Sequence, residues 1–225
     1  MENENVLTVI NPATGKKIGE HRQLDAACIS ERIEGAHDAF LDWQTKPVSI
    51  RSRVLRRCAS ILLERKTQYG ARITSEMGKP IAQAVAEIEK CAWVCSYYAD
   101  QAEEFLSPEN MMVDGREVEV IMCPLGVIYA IMPWNFPFWQ AFRALAPALM
   151  AGNGMVLKGA PNVPGCSADI ASVIAEAGAP CGLFVDLPID IRDSPSVIAN
   201  PLIRGVTVTA SESAGRAVAA AAGAQ

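Results

Sequence analysis

GVIYAIMPWNFPFWQAFRALAPALMAGNGMVLK, residues 126–158, decides the fold. Gly126 to Met132 is an unbroken apolar run that stops at Pro133, the pattern of a strand covered on both faces. Trp134, Asn135, Phe136 and Pro137 make a stiff junction. Trp139, Phe142, Ala146 and Leu149 then recur at helical spacing, and Gly152, Asn153 and Gly154 stop the helix. A strand, a turn and a helix in that order predict one unit of an open parallel sheet, whose ligands gather beyond the carboxyl ends of the strands. Asn135 falls at that end. It reads either as an ordinary turn residue between two prolines or as a rigidly held amide able to stabilise a developing oxyanion.

Downstream the alternation continues. Strands are expected at 126–132, 155–158, 183–187 and 206–209, with helices at 138–151, 163–178 and 195–200 and a last one from Ser211. Right-handed crossovers bring the ends of these strands together, and with them Asn135, Lys158 and Ser211. A buried strand that closes on an ammonium, as at Lys158, must offer it a partner or water; nucleotide hydroxyls or phosphate suit it, and so does a lysine reaching out along apolar surface. Ser211 opens a helix whose free N–H groups suit a phosphate, although an ordinary N-cap has the same pattern.

Upstream, VLTVINPATGKKIGE reads as two short strands around a turn at Asn11 to Gly15. Ile29, Ile33, Ala36, Phe40 and Trp43 mark an amphipathic helix. After Pro47 a second follows, with Ile50, Val54, Cys58 and Ile61 on its apolar face; Arg51, Arg53, Arg56 and Arg57 are assigned to its wet face. A long helix starts at Pro80 and carries Ile81, Val85, Ile88, Ala92, Cys95, Ala99, Ala102 and Leu106. MMVDGREVEVIMC, 111–123, is a hairpin turning at Asp114 and Gly115, either an arm for a partner subunit or a plain surface hairpin.

The 225 residues, half of them hydrophobic, suffice for a sizeable core. A net charge of −5 without basic runs argues against nucleic acid or an anionic membrane as partner. The start lacks the pattern of a signal peptide, and no stretch reaches the roughly 18 uncharged apolar residues of a membrane helix, so a cytoplasmic location is expected. Seven cysteines, at 28, 58, 91, 95, 123, 166 and 181, show neither disulfide nor zinc spacing; with two histidines, no metal site is expected.

NPATG at 11–15, EMGKP at 76–80, PLGVIYAIMPWNFP at 124–137, AGNGMVLK at 151–158, APNVPGC at 160–166 and VTVTAS at 206–211 fall in order over nearly the whole chain. In these motifs the sequence resembles the aldehyde dehydrogenase superfamily, and within it the NAD(P)-dependent succinate-semialdehyde dehydrogenase group. The resemblance implies an α/β fold with an aldehyde dehydrogenase-like, Rossmann-type parallel sheet, N-terminal helices and a hairpin arm. It divides the chain into an N-terminal helical part of the cofactor-binding domain at 1–110, an oligomerisation-arm hairpin at 111–123 and a nucleotide-binding part at 124–225. NAD or NADP is the implied cofactor and a small-molecule aldehyde the substrate, with homo-oligomers formed by the complete protein. Asn135 matches the oxyanion-hole asparagine, facing the thiohemiacetal formed when a cysteine attacks the aldehyde. Lys158 matches the lysine on the adenosine ribose and Ser211 the serine near the pyrophosphate, while Ile131 and Trp134 match positions lining the cofactor cleft.

Departures are equally specific. The family's glutamate base and nucleophilic cysteine have no counterpart in these residues, and Cys123 and Cys166 are expected to be buried fillers. The chain therefore resembles an N-terminal portion, expected to be inactive alone; a catalytically silent nucleotide-binding or interaction module is the alternative. Gly159, Ala160 and Pro161 replace the Pro-Ser-Glu that in the family rejects a 2′-phosphate. Ala210 stands for the first glycine of the helix-opening motif, whereas Gly215 keeps the second.

Overall fold

A computed structural model describes residues 6–225. The first hairpin pairs β1 (Val6–Ile10) with β2 (Lys17–Arg22). Four helices follow: α1 (Ala26–Trp43), α2 (Val48–Glu64), α3 (Lys66–Met77) and α4 (Ile81–Phe105). A second hairpin, β3 (Glu109–Val113) with β4 (Arg116–Val120), is exposed along its length. Asp114 and Gly115 at its tip have φ of 51° and 76°, the double left-handed conformation that suits a two-residue hairpin turn.

Strand and helix then alternate: β5 (Val127–Ile131), α5 (Pro137–Met150), β6 (Gly154–Lys158), α6 (Pro164–Glu176), β7 (Phe184–Asp186), α7 (Ser194–Ile198), β8 (Ile203–Val208) and α8 (Glu212–Gly223). The four strands form one parallel sheet in the order β7-β6-β5-β8. Because side chains alternate along a strand, each strand serves two cores. Val127 and Tyr129 of β5 and Val156 of β6 point to the face covered by Ile29, Ile33 and Phe40 of α1 and by Val197 and Ile198 of α7. Ala130, Met155 and Leu157 face the other side, where α5 and α6 join α2 and α4 in one cluster. The N-terminal helices thus complete both cores of the sheet.

Asn153, in the turn before β6, is 7% exposed. Its Oδ1 accepts from the backbone N–H of Leu125 at 2.7 Å and of Gly126 at 3.1 Å, while Nδ2 donates to the Ala148 carbonyl at 3.2 Å. It stitches the entry of β5 to the exit of α5. On the far side, Trp43 Nε1 donates to the Leu149 carbonyl at 2.9 Å and bolts α1 to the same corner.

Several expectations need correction. The sequence pattern did not predict α3, whose apolar stripe is narrow: only Tyr69, Gly70, Ile73 and Glu76 are buried. Pro80 is the N-cap of α4 rather than its first residue. Arg51 is buried, not on the wet face, because its guanidinium tucks under Gly152. A Cβ at that position, where φ is 92°, would lie 2.7 Å from Arg51 Nη1. Cys166 is buried as expected, but Cys123 is exposed, since it stands outside the sheet in the strandless run between β4 and β5.

Candidate functional site

The carboxyl ends of the central strands are level. Ile131 at the end of β5 lies opposite Lys158 of β6 on one side and Val208 of β8 on the other. Just beyond, Met132 N–H donates to the Lys158 carbonyl at 3.1 Å, and Thr209 N–H to the Ile131 carbonyl at 3.0 Å. Three connections leave from this line: 133–136 towards α5, 159–163 towards α6, and Thr209 to Ser211 towards α8.

Between the strand ends and α8 lies a cavity of about 210 Å³. Ile131, Lys158, Val208, Ala210, Ala214 and Val218 are among its walls, so it is an apolar slot with one ammonium. Lys158 is 9% exposed. Burial pulls its pKa below the usual lysine value, opposed by the charges of Asp190 and Asp193; among the described residues no carboxylate approaches its Nζ within 4 Å. Ser211 caps α8, its Oγ accepting from Ala214 N–H at 3.3 Å and lying 3.1 Å from Ser213 Oγ. A Cβ placed on Gly215, in the first turn, would meet nothing within 4 Å. The start of α8 is therefore an open face of backbone amides beside the slot.

Trp134 and Asn135 belong to a neighbouring station and do not line that slot. Both are exposed, and the Asn135 amide makes no hydrogen bond among the described residues. The residues after it are nevertheless held in place. Pro137 occupies the first turn of α5, and the N-cap, Phe136, contributes no side-chain cap. The cap comes from α4: Glu87 Oε1 accepts from the N–H of Phe138 and of Trp139, each at 3.0 Å. Glu87 Oε2 pairs with Lys79 Nζ, and that ammonium sits 3.5 Å from the centre of the Phe136 ring. The second connection, into α6, has the same device. Glu76 at the end of α3 accepts from Cys166 N–H at 3.1 Å at the start of α6. Gly165 permits this approach, because a Cβ there would lie 2.1 Å from Glu76 Oε1. Burial raises the pKa of Glu76, partly offset by that amide.

Of the residues singled out in the sequence, then, Ile131 and Lys158 share one slot and Ser211 opens the helix that walls it, while Trp134 and Asn135 stand on the adjoining turn. Glu76, Lys79 and Glu87 were missed. The signal available was an acid in core-facing register: Glu87 precedes Cys91 and Cys95 by one and two helical steps of four, and those cysteines are buried. Arg143, exposed on α5, was missed too; it donates to Thr209 Oγ1 at 3.0 Å and brings a guanidinium to the same mouth. The exposed thiols, Cys123 and Cys181, precede β5 and β7. Both therefore enter at the amino ends of their strands, whereas Asn135 follows the carboxyl end of β5.

The aldehyde dehydrogenase family model matches residues 1–225. A Synechocystis protein named as a probable succinate-semialdehyde dehydrogenase of the NADP(+) type is 43% identical over 222 residues, which cover 97% of this chain and 48% of that protein. An Escherichia coli succinate semialdehyde dehydrogenase of the NAD(P)+ type is 41% identical over 215 residues, 96% of this chain and 46% of that one. Among solved structures, the succinic semialdehyde dehydrogenase from Streptococcus pyogenes in complex with NADP+ superposes with a TM-score of 0.94 at 32% identity, covering 97% of this chain and 48% of that chain. The chain spans about half the length of the curated relatives it matches.

Proposed function

The chain belongs to the aldehyde dehydrogenase family, and on that premise we propose that it is the N-terminal, cofactor-binding portion of an NAD(P)-dependent enzyme that oxidises succinate semialdehyde to the acid. The observation that carries this reading is the slot beside Lys158. An apolar cleft between Ile131, Val208 and α8 suits a flat ring, the Lys158 ammonium suits ribose hydroxyls or a 2′-phosphate, and the amides of α8 suit a pyrophosphate. The donor set therefore fits a nicotinamide dinucleotide, which when bound accepts the hydride. No carboxylate stands at 159–161 to repel a 2′-phosphate, so NADP binds at least as tightly as NAD. Asn135 offers its free amide to the substrate oxygen, and Arg143, at the same edge, suits the distal carboxylate of a semialdehyde acid.

None of the seven cysteines occupies the family's nucleophile context, and the exposed two lie at the wrong end of the sheet. The 225 residues alone bind cofactor without turning over. Titration calorimetry with NADP+ tests the first half: Lys158→Met weakens binding by about ten-fold or more, and equal affinity in the two proteins overturns the site. Appearance of NADPH from succinate semialdehyde with the purified chain would contradict the second half.

A further inference from the structure

We propose that Glu87, held by Lys79, is the positioning residue of the oxyanion turn. The inference rests on the reading of Asn135 given above. Asn135 has no hydrogen bond of its own among the described residues, so its place is set by the residues that follow it, and these are held by the same pair. Three and four residues after it, the first free amides of α5, those of Phe138 and Trp139, converge on one oxygen of Glu87. Immediately next to Asn135, the Phe136 ring lies against the Lys79 ammonium. Lys79 is itself fixed: Gly78 ends α3 in the left-handed conformation at φ 81°, and Thr74 Oγ1 donates to the Lys79 carbonyl at 2.7 Å.

The Glu87 side chain is wholly inaccessible and that of Lys79 is 6% exposed. A carboxylate removed from water needs its oxygens satisfied, and here they are satisfied by the first amides of α5 and by the ammonium that packs on Phe136. The charge of Glu87 also stands at the positive end of the α5 dipole. An uncapped α5 would fray at its first turn, and Phe136 and Asn135 would move with it. Lys79 and Glu87 therefore act on the reaction through Asn135, without touching substrate or cofactor.

Fluorine NMR of the 225-residue chain labelled with 5-fluorotryptophan tests this, because the four tryptophans, Trp43, Trp93, Trp134 and Trp139, divide between the turn and the rest. In Glu87→Leu the Trp134 and Trp139 signals broaden or split while Trp43 and Trp93 keep theirs. Glu87→Gln, which retains an acceptor for both amides, restores the sharp lines. Should Glu87→Leu fail to fold, the Lys79→Met/Glu87→Leu pair, which leaves no buried charge alone, carries the same comparison. An unchanged Trp134 signal, or equal change at all four tryptophans, overturns the proposal. NADP+ titration of the same samples addresses the cofactor slot separately: absence of binding with the Trp134 response intact would refute the cofactor reading and leave the positioning role standing.

Discussion

In the proposed function, Lys158 is a single residue that would serve binding at a cost to the empty fold. Its ammonium is taken out of water at a strand end with distant acids as its compensation, an arrangement that lowers stability unless a ligand completes it. Lys158→Met is accordingly expected to raise the stability of the ligand-free chain by about 1 kcal/mol while removing the stabilisation that NADP+ gives the native protein; thermal melts with and without NADP+ check both signs. Asp186, at the end of β7, presents the opposite charge. Burial pushes its pKa up to about 7, with Arg32 opposing. The folded chain then binds a proton that the unfolded chain has already lost. Stability falls as pH rises between about 4 and about 7 and is level on either side. Asp186→Asn removes that slope, and urea midpoints at about pH 5 and about pH 8 should show the variant gaining on the parent at the higher pH, with a ceiling of about 3 kcal/mol.

At the scale of elements, the two crossover helices nearest the site begin with borrowed caps. Glu76 serves α6 and Glu87 serves α5. Gly165→Ala would drive a methyl into the Glu76 carboxylate and is expected to cost about 1–3 kcal/mol. Glu76→Gln, which keeps an acceptor for Cys166 N–H, should cost less; chemical denaturation of the two variants orders them. The strands, by contrast, were legible without any of this. The run at 126–132 and the short apolar segment ending in Lys158 are buried largely on both faces, and hydrophobicity alone marks them; Lys158 came out as a strand end for that reason, whereas Ile131, one residue short of the expected end at Met132, was singled out only by the family resemblance. What the sequence concealed is polar burial. An acid on an amphipathic helix reads as solvated, so Glu87 passed unnoticed; Glu76 stood in the EMGKP motif, but without a predicted α3 no capping role could be read for it; and Arg51 was assigned to water because the glycine turn that shelters it lies a hundred residues away. Helix α3 escaped because it buries so little apolar surface of its own.

For the molecule as a whole, two surfaces are unusual. The β3–β4 hairpin and the segment after it expose Met111, Met112, Ile121, Met122 and Leu125, and β8 pairs with β5 on one side only among the described residues. Exposed apolar side chains and an open parallel edge both favour association. In sizing chromatography the chain is expected to elute above its 24.1 kDa mass, increasingly so with concentration; Met112→Lys should reduce the effect if the hairpin carries the contact, and a monomer at every concentration would contradict it. Among the described residues no helix is long and apolar enough to cross a membrane. The borrowed caps also bear on how such a protein can be inherited. The amides at Phe138 and Cys166 take their acceptors from residues 51 and 90 positions earlier. A recombination that joined the strand-bearing half of the gene to a foreign upstream segment would pass on every recognisable motif from Pro124 onward, yet strip the acceptors that fix two of its turns. Such a descendant would carry the family's signature in its letters and lack it in its geometry.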